Sequence, residues 1–106
     1  MQTVYALIWK SFESDETFDQ EAFQSRIPQL MEWLQSLRRD GHLVACGGGG
    51  FENHSGGLTL ITADSPEHAM ELSSGSPMNE IGHTELLVWD VFFADLQYSE
   101  HSSRLQ

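Results

Sequence analysis

The chain has 106 residues, 40% of them hydrophobic, which is enough for one domain with a single core. Sixteen acidic side chains against five basic ones give a formal net charge of -11, which argues against nucleic acid and anionic membranes as partners. No apolar run approaches the roughly 20 residues of a membrane span, and a single cysteine cannot form a disulfide within the chain. We therefore expect a soluble cytoplasmic protein.

The first predicted element is a strand over residues 4–9, whose sequence VYALIW is a continuous apolar run. Such a run is typical of a strand that is buried on both faces. Residues 10–19 are polar and acidic, which indicates a loop. Asp19 can cap a first helical turn, and Pro28 then either kinks this helix or marks its start.

The longest predicted element is a helix that ends near residue 40. Its apolar side chains recur at helical spacing: Ile27, Leu30, Met31, Leu34 and Leu37. Arg38 and Arg39 suit the negative end of the helix dipole, and Gly41 can adopt the left-handed conformation found just past a helix. A short apolar strand over residues 42–46 follows at once, so the sequence predicts a mixed fold of helices and strands.

Further along the chain, residues 47–57 (GGGGFENHSGG) have low propensity for regular structure, and we expect a loop. A strand over residues 58–63 follows. Ser65 and Pro66 are then typical of a helix N-cap and first helical position, and this short helix is expected to end at Gly75.

The last predicted elements are a loop over residues 76–82 and a strand over residues 84–93 (TELLVWDVFF). We expect one domain over residues 1–96, followed by a polar tail over residues 97–106.

The element order βαββαβ predicts an α+β, ferredoxin-like fold, with a four-stranded antiparallel sheet and both helices on one face. This topology brings three loops to one end of the sheet, over residues 11–18, 47–57 and 76–83. The first helix also begins there, so we expect any site at this end.

The face of the sheet away from the helices is also expected to be apolar. Both sides of the first strand carry large hydrophobic residues, and the last strand behaves similarly. A monomer would expose these side chains in one patch, so we expect a homodimer packed sheet to sheet, with Trp89 or Trp9 near its centre.

Residues 5–91 resemble the YCII-related proteins, small ferredoxin-like domains that pair into a dimeric α/β barrel. The residues that carry this resemblance are spread over the chain: Pro28 with Trp33-Leu34, residues 40–44 with Gly47-Gly48, Gly56-Gly57, residues 63–65, Ser76-Pro77, Glu85-Leu86 and Trp89. Members of this family commonly carry a histidine early in helix one and an aspartate before the proline of the second loop. These two residues are the proposed general acid/base pair, and a few relatives act on chlorinated or hydroxylated aromatic compounds.

This chain departs from the family pattern at both positions. Alignment on Pro28 and Trp33 puts Leu30 in the place of the histidine, and Ser76 precedes Pro77 in the place of the aspartate. Leu87 stands where many relatives have an arginine. Leucine cannot transfer a proton, so the resemblance implies the fold and argues against the family's acid/base chemistry.

Two hypotheses for function follow. The first is a dimeric module without catalytic activity that binds a small molecule or a protein partner. The second is a lyase- or isomerase-type enzyme that acts on a small metabolite, such as an aromatic compound, through His83, His54 or Glu80. The candidate pocket comprises seven residues: Leu30, Trp33, His54, Ser76, Asn79, Glu80 and His83.

No pair of these residues has the spacing of a metal site, and no cofactor or metal is expected. The run Gly47 to Gly50 lacks the lysine of a phosphate-binding loop. Of the other histidines, His42 is expected at the opposite end of the sheet, and His68 on the polar side of the second helix.

Overall fold

In a computed structural model, which describes residues 3–96, the chain forms four strands and two α-helices. Their bounds in chain order are β1 (Thr3–Ser11), α1 (Gln20–Arg39), β2 (Leu43–Gly50), β3 (Ser55–Ala63), α2 (Pro66–Ser73) and β4 (Gly82–Val88). A short 3-10 helix, Pro77–Glu80, lies between α2 and β4. The predicted tail over residues 97–106 lies outside the described residues.

The strands form one sheet in the order β2-β3-β1-β4, and each neighbouring pair is antiparallel. β2 and β4 are therefore the edge strands. The predicted α+β, ferredoxin-like arrangement of a four-stranded antiparallel sheet with two helices is confirmed.

The core lies between the helices and one face of the sheet. Tyr5 and Leu7 from β1 and Ile61 and Ala63 from β3 are buried in one cluster with residues of both helices, Leu37 and Ala69. Burying these apolar groups is the main driving force for the fold. Both helices therefore cover the same face, and the other face is here called the open face.

Helix α1 begins where the sequence indicates. The Asp19 carboxylate accepts a 3.0 Å hydrogen bond from the amide of Ala22, as an N-cap does. The helix continues through Pro28, which lies on its exposed side, and Gly41 ends it with a φ of 79°. Met31 is 39% exposed, so it lies at the edge of the apolar stripe rather than within it.

The prediction of a loop over residues 47–57 is wrong in most of its length. Strand β2 continues to Gly50 because β3 offers a partner along the whole glycine run, from Gly47 opposite Leu58 to Gly50 opposite Ser55. Only residues 51–54 form the turn, which the amide of Phe51 closes with a 2.8 Å hydrogen bond to the carbonyl of His54. Ladder hydrogen bonds thus outweigh the low strand propensity of glycine.

Other boundaries also differ from the expectation. β1 continues to Ser11, beyond the predicted end at residue 9. β4 pairs with β1 from Gly82 opposite Ser11 to Val88 opposite Tyr5 and ends there instead of at residue 93; one further backbone bond joins the amide of Trp89 to the carbonyl of Val4 at 2.9 Å. The predicted loop over residues 76–82 contains the 3-10 helix, which Ser76 caps.

The register assigns each residue of β1 to a face. Tyr5, Leu7 and Trp9 are buried on the helix side, so the expectation that Trp9 lies near the centre of a sheet-to-sheet dimer is wrong. Six apolar residues of β1, β3 and β4 share the open face: Val4, Ala6, Ile8, Leu58, Leu60 and Leu87.

Candidate functional site

The three loops predicted to share one end of the sheet are joined there by backbone hydrogen bonds. The amide of Phe12 donates to the carbonyl of Ile81 at 3.1 Å, and the amide of Asp15 donates to the carbonyl of Asn53 at 2.9 Å. The first loop is thus bonded both to the turn between β2 and β3 and to the segment before β4.

Trp33 forms one wall of an open groove of about 490 Å³ between α1 and the segment that follows α2. Its indole Nε1 donates a 3.0 Å hydrogen bond to the carbonyl of Leu72. The ring lies against Gly75, where a β-carbon would be only 3.0 Å from two ring atoms. Glycine at this position therefore lets the indole lie flat against the chain.

Three polar side chains of α1 that were not predicted as site residues line the groove: Gln29, Glu32 and Ser36. Arg39 also lines it from α1, and Pro77 and the predicted Glu80 lie on the opposite wall. The signal that would have found three of them is helical spacing, because residues 29, 32, 33 and 36 lie on one face of a helix. Leu30 lies on the neighbouring face and is half-buried.

Ser76 has a structural role in this wall. Its hydroxyl oxygen accepts a 3.2 Å hydrogen bond from the amide of Met78, which caps the 3-10 helix. Its own amide donates to the carbonyl of Ser73 at 3.1 Å. These two bonds fix the turn between α2 and Pro77.

Asn79 uses both ends of its side-chain amide. Its nitrogen donates to the carbonyl of Ser73 at 2.9 Å, and its oxygen accepts from the hydroxyl of Thr84 at 2.8 Å. The side chain thereby joins the end of α2 to β4. These bonds use one of the two N–H donors and one of the two acceptor lone pairs of the side chain, so Asn79 has at least a structural role.

Glu80 lies between the groove and a second, smaller cavity of about 200 Å³ that is lined in part by Phe12 and Phe18. One carboxylate oxygen lies 3.6 Å from Nε of Arg26, and the side chain of Glu80 is 66% exposed. A pair this exposed contributes little to stability. Its main effect is to hold the carboxylate near the rim of both cavities.

The two candidate histidines of this end are not part of the groove. His83 is exposed and lies opposite Lys10 on the open face. His54 is half-buried in the turn, where its Nδ1 donates a 2.8 Å hydrogen bond to the side-chain oxygen of Asn53. Within residues 3–96, no hydrogen bond or ion pair joins either histidine to the other or to Glu80.

A histidine contact that the sequence did not predict lies at the opposite end of the sheet. The rings of His42 and His68 pack edge to face with centroids 5.2 Å apart. His42 donates from Nδ1 to the carbonyl of Thr62 at 2.9 Å, and His68 accepts at Nδ1 from the amide of Asp64 at 3.2 Å. Both rings thus help to hold α2 against the start of β2.

Cys46 lies on edge strand β2. The residue as a whole is exposed, but its thiol group is partly buried. Burial raises the pKa of the Cys46 thiol above its ordinary value of 9.0. A thiol that stays protonated is a poor nucleophile, which favours an inert cysteine.

Two negative findings apply to residues 3–96. This part of the chain holds no group of three or more histidine, cysteine, aspartate or glutamate residues that could bind a metal ion. None of its helices is both long enough and apolar enough to cross a membrane.

The fold and the groove along the C-terminal half of α1 define a small ferredoxin-like α+β domain with an open groove beside a tryptophan. The family model of the YCII-related domain matches residues 4–91, and the chain therefore belongs to the YCII-related family. Comparison with curated proteins gave no match, and comparison with solved structures gave none either.

Proposed function

We propose that this YCII-related protein is a dimeric module that binds a small molecule without general acid/base catalysis. The proposal rests on positions 30 and 76, where the family resemblance would place a proton-transfer pair. Leu30 presents a half-buried alkyl group, and the Ser76 hydroxyl caps a 3-10 helix. A general acid or base needs a pKa near the working pH, and neither side chain has one.

The groove beside Trp33 supports small-molecule binding. Its volume of about 490 Å³ falls within the range of about 300–1,000 Å³ that is usual for ligand sites. The indole and Pro77 offer apolar surface, while Arg39 and Glu80 supply opposite charges at the rim. A ligand with a flat ring and a polar substituent fits this combination of groups.

The enzyme hypothesis has less support. It assigns the chemistry to His83, His54 or Glu80, and of these only Glu80 lines the groove, while His83 lies on the open face. No described hydrogen bond orients either histidine toward a carboxylate. A histidine base is usually oriented in that way.

Native mass spectrometry of freshly purified protein tests ligand binding, because a retained molecule adds its mass to the protein whatever its identity. We expect a mass increment that is lost on denaturation, kept in Trp33→Phe and absent in Trp33→Ala, with circular dichroism confirming that both variants fold. Binding should show no inflection near the histidine reference pKa of about 6.5. An increment that survives in Trp33→Ala, or an inflection that His83→Gln removes, would contradict the proposal.

The dimer is proposed from the open face. Leu58 is 45% exposed and Leu87 is 51% exposed, next to the apolar side chains of Val4 and Ile8. Lys10, His83 and Glu85 provide a polar rim toward the loop end of the same face. An apolar centre with a polar rim is the usual anatomy of a protein interface. One two-fold axis would cover both copies with the same patch.

A further inference from the structure

Strand β2 consists of glycine for half its length, and no contact among residues 3–96 requires glycine at three of these four positions. Gly47, Gly48 and Gly49 are exposed, and a β-carbon at any of them would meet no atom within 4 Å. Gly41 is the only glycine among residues 3–96 with positive φ, so backbone conformation does not explain the run either. Glycine within a strand often marks a place where another backbone or ligand approaches closely.

Elsewhere in this chain, aromatic rings lie on glycines. The Phe51 ring covers Gly56, and a β-carbon there would be 2.7 Å from the ring. Trp33 covers Gly75 in the same way. Aromatic side chains can thus stabilise strand glycines by filling the space that a side chain would take. In the described part of the chain, residues 3–96, no such ring lies over Gly47, Gly48 or Gly49.

The segment over residues 89–96, here called the C-terminal arm, has the complementary property. Phe92 is 94% exposed, Phe93 is 82% exposed and Leu96 is 61% exposed. The sequence VFF is typical of a strand, but residues 89–96 lie beyond the end of β4 and form no strand of their own. Exposed aromatic side chains of this size in one short segment indicate a surface that is covered in the assembled protein.

We propose that the C-terminal arm of one protomer adds as a strand to the β2 edge of a second protomer. Successive side chains of a strand point to opposite faces, so Phe92 and Phe93 would lie on the two sides of the glycine run. The glycines leave room for both rings. Backbone hydrogen bonds to the free edge of β2 would provide the remaining affinity.

The geometry of the sheet is the reason to assign the arm to the β2 edge of a second copy. The arm leaves the sheet at β4, and β2 is the opposite edge, three strand spacings of about 4.8 Å away. Within one subunit, Phe92 and the glycine run remain exposed. This inference rests on the homodimer proposed above and adds the segment that each copy contributes to the other.

A photo-crosslinking amino acid at position 92 tests the inference on an equal mixture of ordinary and 15N-labelled full-length protein. We expect crosslinked peptides of mixed isotope content that join residue 92 of one copy to residues 43–50 of the other. The same amino acid at position 12, where Phe12 is 63% exposed in the first loop, is the matched control and should give no such product. Crosslinks that lie within one copy, or that reach residues 58–60 or another protein, would overturn the inference.

Association measurements separate this inference from the homodimer itself. Gly48→Lys and Phe92→Ser should each raise the dimer dissociation constant about tenfold or more and leave the circular dichroism spectrum unchanged. Phe12→Ser is the control and should leave the dissociation constant unchanged. Wild-type protein that is dimeric, with no effect of either substitution, would refute arm exchange and leave the homodimer intact. Wild-type protein that is monomeric would refute both.

Discussion

The indole of Trp9 lies directly on the backbone of Gly82, and its Nε1 donates a 2.8 Å hydrogen bond to the carbonyl of Met78. A β-carbon on Gly82 would overlap the indole and lie 2.6 Å from the carbonyl oxygen of Lys10. This contact fixes the start of β4 against β1 and the 3-10 helix. It therefore holds the wall of the groove in place.

Gly82→Ala is expected to lower the free energy of unfolding by about 1–3 kcal/mol, because the added methyl group forces the indole or the backbone to move. Urea denaturation followed by tryptophan fluorescence measures the change. Gly57→Ala is the matched control, since a β-carbon there would meet only the carbonyl of Gly47 at an ordinary 3.4 Å. Equal destabilisation by the two substitutions would contradict the packing role of Gly82.

Leu30→His together with Ser76→Asp is expected to introduce a titratable pair beside the groove without removing ligand binding. The double variant should lose about 1–3 kcal/mol of stability, because an imidazole replaces a half-buried alkyl group. NMR titration of the new histidine and native mass spectrometry measure the two effects. A native turnover that Leu30→Ala abolishes in folded protein would contradict the proposal of binding without catalysis.

The raised pKa of Cys46 has a consequence for alkylation. The pH midpoint of the iodoacetamide rate should lie above 9.0 in the folded protein and return toward 9.0 in urea. Because the folded pKa is the higher one, the stability linked to this thiol is present below pH 9.0 and lost as pH rises through the folded pKa.

Cys46→Ser is the control for this linkage. It should remove the part of the alkaline loss of stability that the thiol causes. A folded midpoint at or below 9.0 would show that the thiol is not desolvated.

The helices were predictable because their signals are local. Asp19 and Ser65 each accept a hydrogen bond from the amide three residues later, and Gly41 takes the left-handed conformation after α1. Each of these features needs only neighbours within one turn of chain, so a sequence pattern suffices to find them.

The errors concern pairing between distant segments. The glycine run is a strand because β3 lies beside it, and β4 pairs with β1 only from Gly82 to Val88. The sequence also could not decide which face of β1 carries Trp9, since both sides of that strand are apolar. Register decides such questions, and register is set by contacts across the sheet.

The candidate site was only partly predictable for the same reason. The shared loop end was expected from topology, and Trp33 does line a groove. The bonds that Asn79 makes to Ser73 and Thr84 depend on how α2 and β4 are placed, which no local pattern gives. The Ser76 cap on Met78 is local, but the 3-10 helix that it caps was not predicted.

Sedimentation velocity at low micromolar concentration tests most directly whether the protein is a dimeric module. We predict a species with the mass of two 11.9 kDa chains for the wild type and a folded 11.9 kDa monomer for Leu58→Lys, which places a charge in the centre of the open face. Glu67→Lys, on the exposed surface of α2, is the matched control and should remain dimeric. A well-folded wild-type monomer at this concentration would contradict the proposed assembly.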